Sequence, residues 1–221
     1  MLKADLHIHT QYSMDCSTSL EKIIKRCREL GITCIAIADH GTAEGALKIQ
    51  KMAPFPVIVA EEMLTTQGEI MGMFLKETIP SGLTPQETVK RIRAQGGLVN
   101  IPHPYDKVRG SALKDWVIDE IAADIDLMEV LNARSVNAEN IERVRNFTAR
   151  HEIVRSAGSD AHSVQEIGNA YVVMPEFNGK DEFLKSLAKG EIFGHKASPL
   201  VHLYSTVAKV KSKINQKKEK A

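Results

Sequence analysis

Two histidines, His7 and His9, stand one residue apart in DLHIHT, inside the first apolar run of the chain. On a strand, side chains at i and i+2 project to the same face, so this pair can grip one ion. Asp160 and His162 repeat the spacing in GSDAH. Between the two pairs fall Asp15, His40, Glu62 and His103, each at or just beyond the end of an apolar run. Imidazole with carboxylate, and no thiolate, suits zinc, manganese or iron. These ligands are too many for one tetrahedral ion. They fit two to three divalent ions, with a carboxylate such as Glu62 bridging. Closely spaced ions clamp a phosphoryl group and generate hydroxide near neutral pH.

Such residues need a scaffold that brings distant segments together. Residues 3–8, 32–38, 55–63, 97–104, 124–132, 153–160 and 169–175 read as strands. The intervening segments read as helices. Thr18 and Glu21 form a capping box for a helix through about Leu30, ended by Gly31. Thr84, Pro85 and Glu87 open the clearest helix, and Gly96 ends it. Residues 43–52, 111–123, 137–151 and 180–189 are helical by the same reading. GEIMGMFL (68–75) reads as an added strand behind the turn chemistry of Thr66-Gln67-Gly68. Repeated strand–helix alternation over this length predicts an α/β fold in one domain, a closed or nearly closed (β/α) barrel rather than an open doubly wound sheet.

In such a barrel the carboxyl ends of the strands converge on one face, where active sites are built. His7, His9, His40, His103 and His162 all take that position, and carboxylates accompany them. Burying these groups without compensation costs several kcal/mol each, a cost that cations at the mouth offset. Strand alternation puts Asp5 on the face of His7 and His9, deeper in the barrel, with a supporting hydrogen-bonding role. Glu61 alternates away from Glu62.

Composition narrows the partners. Lys+Arg is 29 and Asp+Glu is 28 in 221 residues, so no global field advertises nucleic acid or membrane. No GxGxxG follows the first strand and no GxxxxGK[ST] is present, which removes the dinucleotide and P-loop readings. Three cysteines, Cys16, Cys27 and Cys34, form no CxxC and suit a reducing cytosol; Cys16 reads as a small packing residue. Neither a secretory segment nor a membrane-length apolar run is read, so a cytoplasmic location is expected. Trp116 and the methionines read as core. The lysine-rich residues 206–221 read as a solvated tail beyond a domain of residues 1–205.

The blocks DLHIHTQYSMD (5–15), IAIADHG (35–41), VIVAEEM (57–63), IPHP (101–104), EVLNAR (129–134) and GSDAH (158–162), in that order, resemble the PHP (polymerase and histidinol phosphatase) superfamily of metal-dependent phosphoesterases. The resemblance covers about residues 3–195. It implies a distorted seven-stranded (β/α) barrel with a di- or trinuclear centre. By position, His7, His9, Glu62 and Asp160 would hold one ion, Glu62 and His103 a second, and Asp15, His40 and His162 a third. Many members carry another histidine where this chain has Asn132, which is expected as a weak ligand or a supporting partner. The inserted lid domain of some members has no counterpart in residues 65–83.

The expected function is hydrolysis of a phosphate monoester on a small metabolite or nucleotide. Metal-activated hydroxide attacks phosphorus, with no separate protein base. Arg109, after IPHP, and Arg134, after the fifth predicted strand, are candidate phosphate-binding residues. His195 and Lys196 lie in sequence after the last helix and could border the site, whereas His151 suits a helix C-terminus. Alternatives are a PHP-type exonuclease or other nucleic-acid phosphodiesterase, a non-catalytic PHP-fold subunit, and C–N bond hydrolysis on a similar barrel. Nucleic acid is kept as a partner that the balanced charge does not favour, and no membrane partner is expected.

Overall fold

The structure, a computed structural model, describes residues 1–135 and 139–195. The chain folds as β1 (Leu2–Ile8), α1 (Leu20–Leu30), β2 (Cys34–His40), α2 (Glu44–Met52), β3 (Val57–Thr65), β4 (Gly68–Met73), α3 (Pro85–Ala94) and β5 (Leu98–Ile101). It continues with α4 (Asp115–Glu120), β6 (Leu127–Asn132), α5 (Glu139–Arg150), β7 (Val154–Gly158), β8 (Ala170–Met174), α6 (Gly179–Ala188) and β9 (Glu191–Gly194). The strands form one sheet in the order β7-β6-β5-β4-β3-β2-β1-β8-β9. The sheet curls into a nearly closed barrel, because the segment after β7 returns to β1. His9 N–H donates to Ala161 O at 2.9 Å across that seam.

The sheet has nine strands among the described residues, not seven, and two of them, β4 and β8, run against the others. β4 pairs antiparallel with β3 and β5, β8 with β1, and β9 with β8. The physical reason at β4 is the connection. Thr66 and Gln67 are all that separate β3 from β4, which permits a hairpin and not a crossover. β9 escapes sequence reading because it is four residues long and mostly exposed.

Two apolar layers hold the barrel. Ile35, Ile37, Val57, Val59, Val99 and Ile101 pack outward on Ile23, Cys27, Ile49, Val89, Ile92 and Val117 of the helices. Ala4, Leu6, Ala36, Ala38, Ile58, Ala60, Met71 and Met73 face inward, with Phe183 and Leu187 of α6. Small alanines here let the strands close around a narrow interior. Gly158 serves the same closure at the seam: a Cβ there would lie 2.3 Å from His7 Cβ.

Two local expectations are corrected. Ser19 rather than Thr18 takes the N-cap position of α1, and its side chain makes no capping hydrogen bond. Thr84 does cap α3, with its hydroxyl accepting from Glu87 N–H at 3.2 Å. Trp116 is exposed, because the short α4 buries Val117 and Ile118 instead. Met1, Met14 and Met52 are exposed as well. No helix among the described residues is long and apolar enough to cross a membrane. Lys196 and residues 206–221 lie outside the described residues.

All three cysteines are buried, and burial pushes Cys16 to about 11 and Cys27 and Cys34 to about 12. Cys16 directs its thiol at His9 O and His162 O. Native protein at pH 8 is therefore expected to resist a thiol reagent such as dithionitrobenzoate, and to release three equivalents after denaturation. Rapid native labelling of one thiol would contradict the packing role of Cys16.

Candidate metal centre

A register shift in β1 aims the first two histidines. Asp5 pairs with Ile35 and Ile8 with Ile37, so β1 carries one extra residue between them. Ala4 and Leu6 face the interior before the shift, while His7 and His9 face it afterwards. This corrects the placement of Asp5. It lies on the outer face with Ile35, and its carboxylate accepts from Ser159 N–H at 2.9 Å, Ser159 Oγ–H at 2.6 Å and Gly168 N–H at 2.9 Å. Its supporting role is thus to clamp the GSDAH loop to β1.

Asp39 and Glu61 do the same work on neighbouring strands. Asp39 accepts from Thr10 N–H at 2.6 Å, and Glu61 accepts from Ile79 N–H at 2.9 Å. The β2–β3 register sets Asp39 beside Glu61 on the outer face and His40 beside Glu62 on the inner one. Burial pushes the carboxyl groups of Asp5 and Asp39 up to about 6, and that of Glu61 to about 7.

The inner carboxylates and imidazoles meet at the mouth. His7 Nε2 and His9 Nε2 are 3.1 Å apart. Glu62 Oε2 lies 3.5 Å from both, and Asp160 Oδ1 lies 3.8 Å from the first and 3.3 Å from the second. His103 Nε2 is 2.8 Å from Glu62 Oε1. Asp15 Oδ2 lies 3.4 Å from His40 Nε2 and 3.2 Å from His162 Nε2. Ligand atoms of His9, Asp15, His40 and His162 fall within 4.8 Å of one another, as do those of His7, His9 and Glu62. His103 and Asp160 hold positive φ angles of 31° and 54°, a backbone cost of about 1–3 kcal/mol each that the surrounding site imposes.

Hydrogen bonds on the far sides of the rings decide what the near sides present. His7 Nδ1–H donates to Glu129 Oε1 at 2.7 Å, and His162 Nδ1–H donates to Asp160 O at 2.9 Å. His9 Nδ1–H faces Ser13 Oγ at 3.3 Å, whose own proton goes to Asp15 Oδ1 at 3.1 Å. In their neutral forms these rings are left with a lone pair on Nε2. They face carboxylate oxygens, which also carry only lone pairs. Glu62 Oε2 and Asp160 Oδ1 are buried and make no hydrogen bond. A cation among them would satisfy lone pairs crowded this closely in a buried pocket, and rings held by an outer hydrogen bond are the usual form of histidine ligands. The donor set fits zinc, manganese or iron.

Protonation of the rings answers the same need for positive charge. Against the cost of burial, Glu129, Asp160 and Glu62 hold a proton on His7 well above the usual imidazole range. Against the same cost, Glu62 and Asp15 raise His40 to about 9. Burial and the neighbouring His162 and His40 keep His9 well below that range. Burial opposes ionisation of Glu62 and Asp160, yet His7 and His40 hold the first, and Arg109 and His7 the second, well below the ordinary carboxyl range.

Both candidate arginines line a cavity of about 500 Å³ at the mouth, with Met14, His40, Glu62, Leu64, Glu69, Ser81 and His162. Arg109 pairs with Asp160 Oδ2 at 2.7 Å, and Arg134 Nε lies 3.4 Å from Glu166 Oε1. Asn132 is a supporting partner: its amide donates to Glu129 Oε2 at 2.9 Å and Asp160 Oδ2 at 3.3 Å, and its oxygen accepts from Arg134 N–H at 3.0 Å. His195 is exposed at the end of β9, where its N–H donates to Asn169 O.

Glu69 and Glu166 were not expected here. Glu166 accepts from His162 N–H and Ser163 Oγ–H in the GSDAH loop. Glu69 reaches the centre because β4 runs antiparallel, so its first residues, not its last, lie at the mouth. Turn chemistry at Thr66-Gln67-Gly68 was the signal that could have located it.

The PHP domain model matches residues 5–55, and the PHP-associated model matches residues 139–192. The uncharacterized protein MJ0417 of Methanocaldococcus jannaschii is 33% identical over 181 residues, covering 80% of this chain and 72% of that one. The chain belongs to the PHP family. A second uncharacterized protein of the same organism, MJ1587, is 42% identical over 145 residues, covering 60% of this chain and 82% of its own. The PHP fold is also that of a two-domain protein from Bacteroides vulgatus containing a predicted PHP-like metal-dependent phosphoesterase. The match has a TM-score of 0.70 at 14% identity and covers 88% of this chain and 65% of that one.

Proposed function

We propose that this PHP protein hydrolyses the phosphate monoester of a small metabolite or nucleotide. The observation that carries the reading is the buried convergence of imidazole and carboxylate lone pairs beside two arginines at an open cavity. His7, His9, Glu62 and Asp160 would hold one divalent ion, Glu62 and His103 a second, and Asp15, His40 and His162 a third. Bound divalent ions lower the pKa of water toward neutrality and neutralise phosphoryl oxygens.

The chain's own residues supply position and charge. Glu129 fixes the ring of His7, and Asp5 fixes the loop that carries Asp160. Arg109 and Arg134 offer guanidinium groups to the phosphate oxygens at the cavity. Met14, Leu64 and Val108 are exposed along its rim and give an organic leaving group an apolar surface. The phosphoesterase description of the Bacteroides vulgatus protein agrees with this reading.

The test is a screen of protein reconstituted with Zn²⁺, Mn²⁺ or Fe²⁺ against nucleotides, sugar phosphates, amino-alcohol phosphates and short oligonucleotides. Release of inorganic phosphate from a monoester is expected. Cleavage of oligonucleotides alone would transfer the reading to a phosphodiesterase, and turnover of no phosphate ester would overturn it.

A further inference from the structure

The ion assigned to Glu62 and His103 has too few ligands. The PHP resemblance leads one to expect a histidine ligand where this chain has Asn132, and here its amide group is fully committed. Both of its donor contacts and its one described acceptor contact go to Glu129, Asp160 and Arg134 N–H. Asn132 therefore presents donors, not a lone pair, toward the carboxylates.

Glu69 stands where the missing ligand is needed. Its Oε2 is 3.4 Å from His103 Nε2, and its Oε1 is 3.7 Å from His40 Nδ1. It is 5% exposed, and Oε2 is buried without a hydrogen bond. Ligand atoms of Glu69, Glu62 and His40 lie within 4.8 Å of one another. A buried carboxylate oxygen aimed at an imidazole and a second carboxylate is stabilised by a cation held between them.

We infer that Glu69 is a metal ligand, closing the second ion's site with Glu62 and His103 in place of an imidazole at position 132. The inference rests on the metal-dependent reading above. It makes the β3–β4 hairpin part of the centre and gives that ion two carboxylates and one imidazole. Such a site carries more negative charge than one with two imidazoles, and harder cations such as Mn²⁺ gain most from it.

The test is metal stoichiometry, read apart from activity. Wild-type protein, Glu69→Gln and Asn132→Ala are loaded with excess Mn²⁺, desalted and analysed by mass spectrometry, with circular dichroism to verify folding. Glu69→Gln is expected to lose one equivalent relative to wild type, while Asn132→Ala keeps the wild-type count. Full retention by folded Glu69→Gln overturns the inference and leaves the wider reading intact. A wild-type protein that binds no divalent ion overturns both. A variant-free arm uses wild-type crystals soaked in Zn²⁺. An anomalous peak is expected at a coordination distance of about 2.0–2.2 Å from a Glu69 oxygen. A peak on Glu62 and His103 that leaves Glu69 beyond coordination distance counts against it.

Discussion

Asp160→Ala is expected to lower phosphatase turnover on the order of 10²- to 10³-fold, the size of effect seen when one preorganised electrostatic group is removed from a catalytic site. The same variant should lose bound metal. Four contacts give the reason. Asp160 Oδ1 faces His7 and His9, its Oδ2 pairs with Arg109, and Asn132 donates to it as well. Removing the carboxylate deletes one ligand and releases a candidate phosphate-binding arginine from its anchor. Near-wild-type turnover with a full metal complement would show that the chemistry lies elsewhere.

Asp5→Ala should instead act on stability. Three donors, Ser159 N–H, Ser159 Oγ–H and Gly168 N–H, lose their acceptor in a buried place. At roughly 1–3 kcal/mol for each unsatisfied buried group, partly relieved by relaxation, a loss of about 3 kcal/mol is expected in a urea or thermal melt. Because Ser159 precedes Asp160, metal affinity should fall even where the protein stays folded. A melt unchanged within 0.5 kcal/mol, about the ordinary range for a surface substitution, would refute the clamp.

Much of this architecture was legible in the chain. His7, His9, Asp15, His40, Glu62, His103, Asp160 and His162 meet at one mouth because each ends a strand or opens the loop beyond it, and strand ends are readable from apolar runs. Three features were not legible, each for a physical reason. The register shift in β1 is a backbone event that leaves no mark in the alternation of DLHIHT, so Asp5 was set on the wrong face. Strand direction is decided by connection length and tertiary packing, so the reversed β4 and β8 broke an expected parallel barrel. The reversed direction of β4 puts Glu69 at the start of its strand, where a parallel barrel would carry no site residue. Trp116 went to the surface because a helix of six residues buries only one narrow face.

The proposed hydrolysis would depend on divalent ions held by the residues at the mouth of this PHP barrel. It is tested most directly by stripping the protein with a chelator and restoring Mn²⁺ stepwise, measuring phosphate release against equivalents bound. Stripped protein should be inactive, and activity should rise only as a second equivalent fills. Full turnover by protein shown to be metal-free would contradict the account.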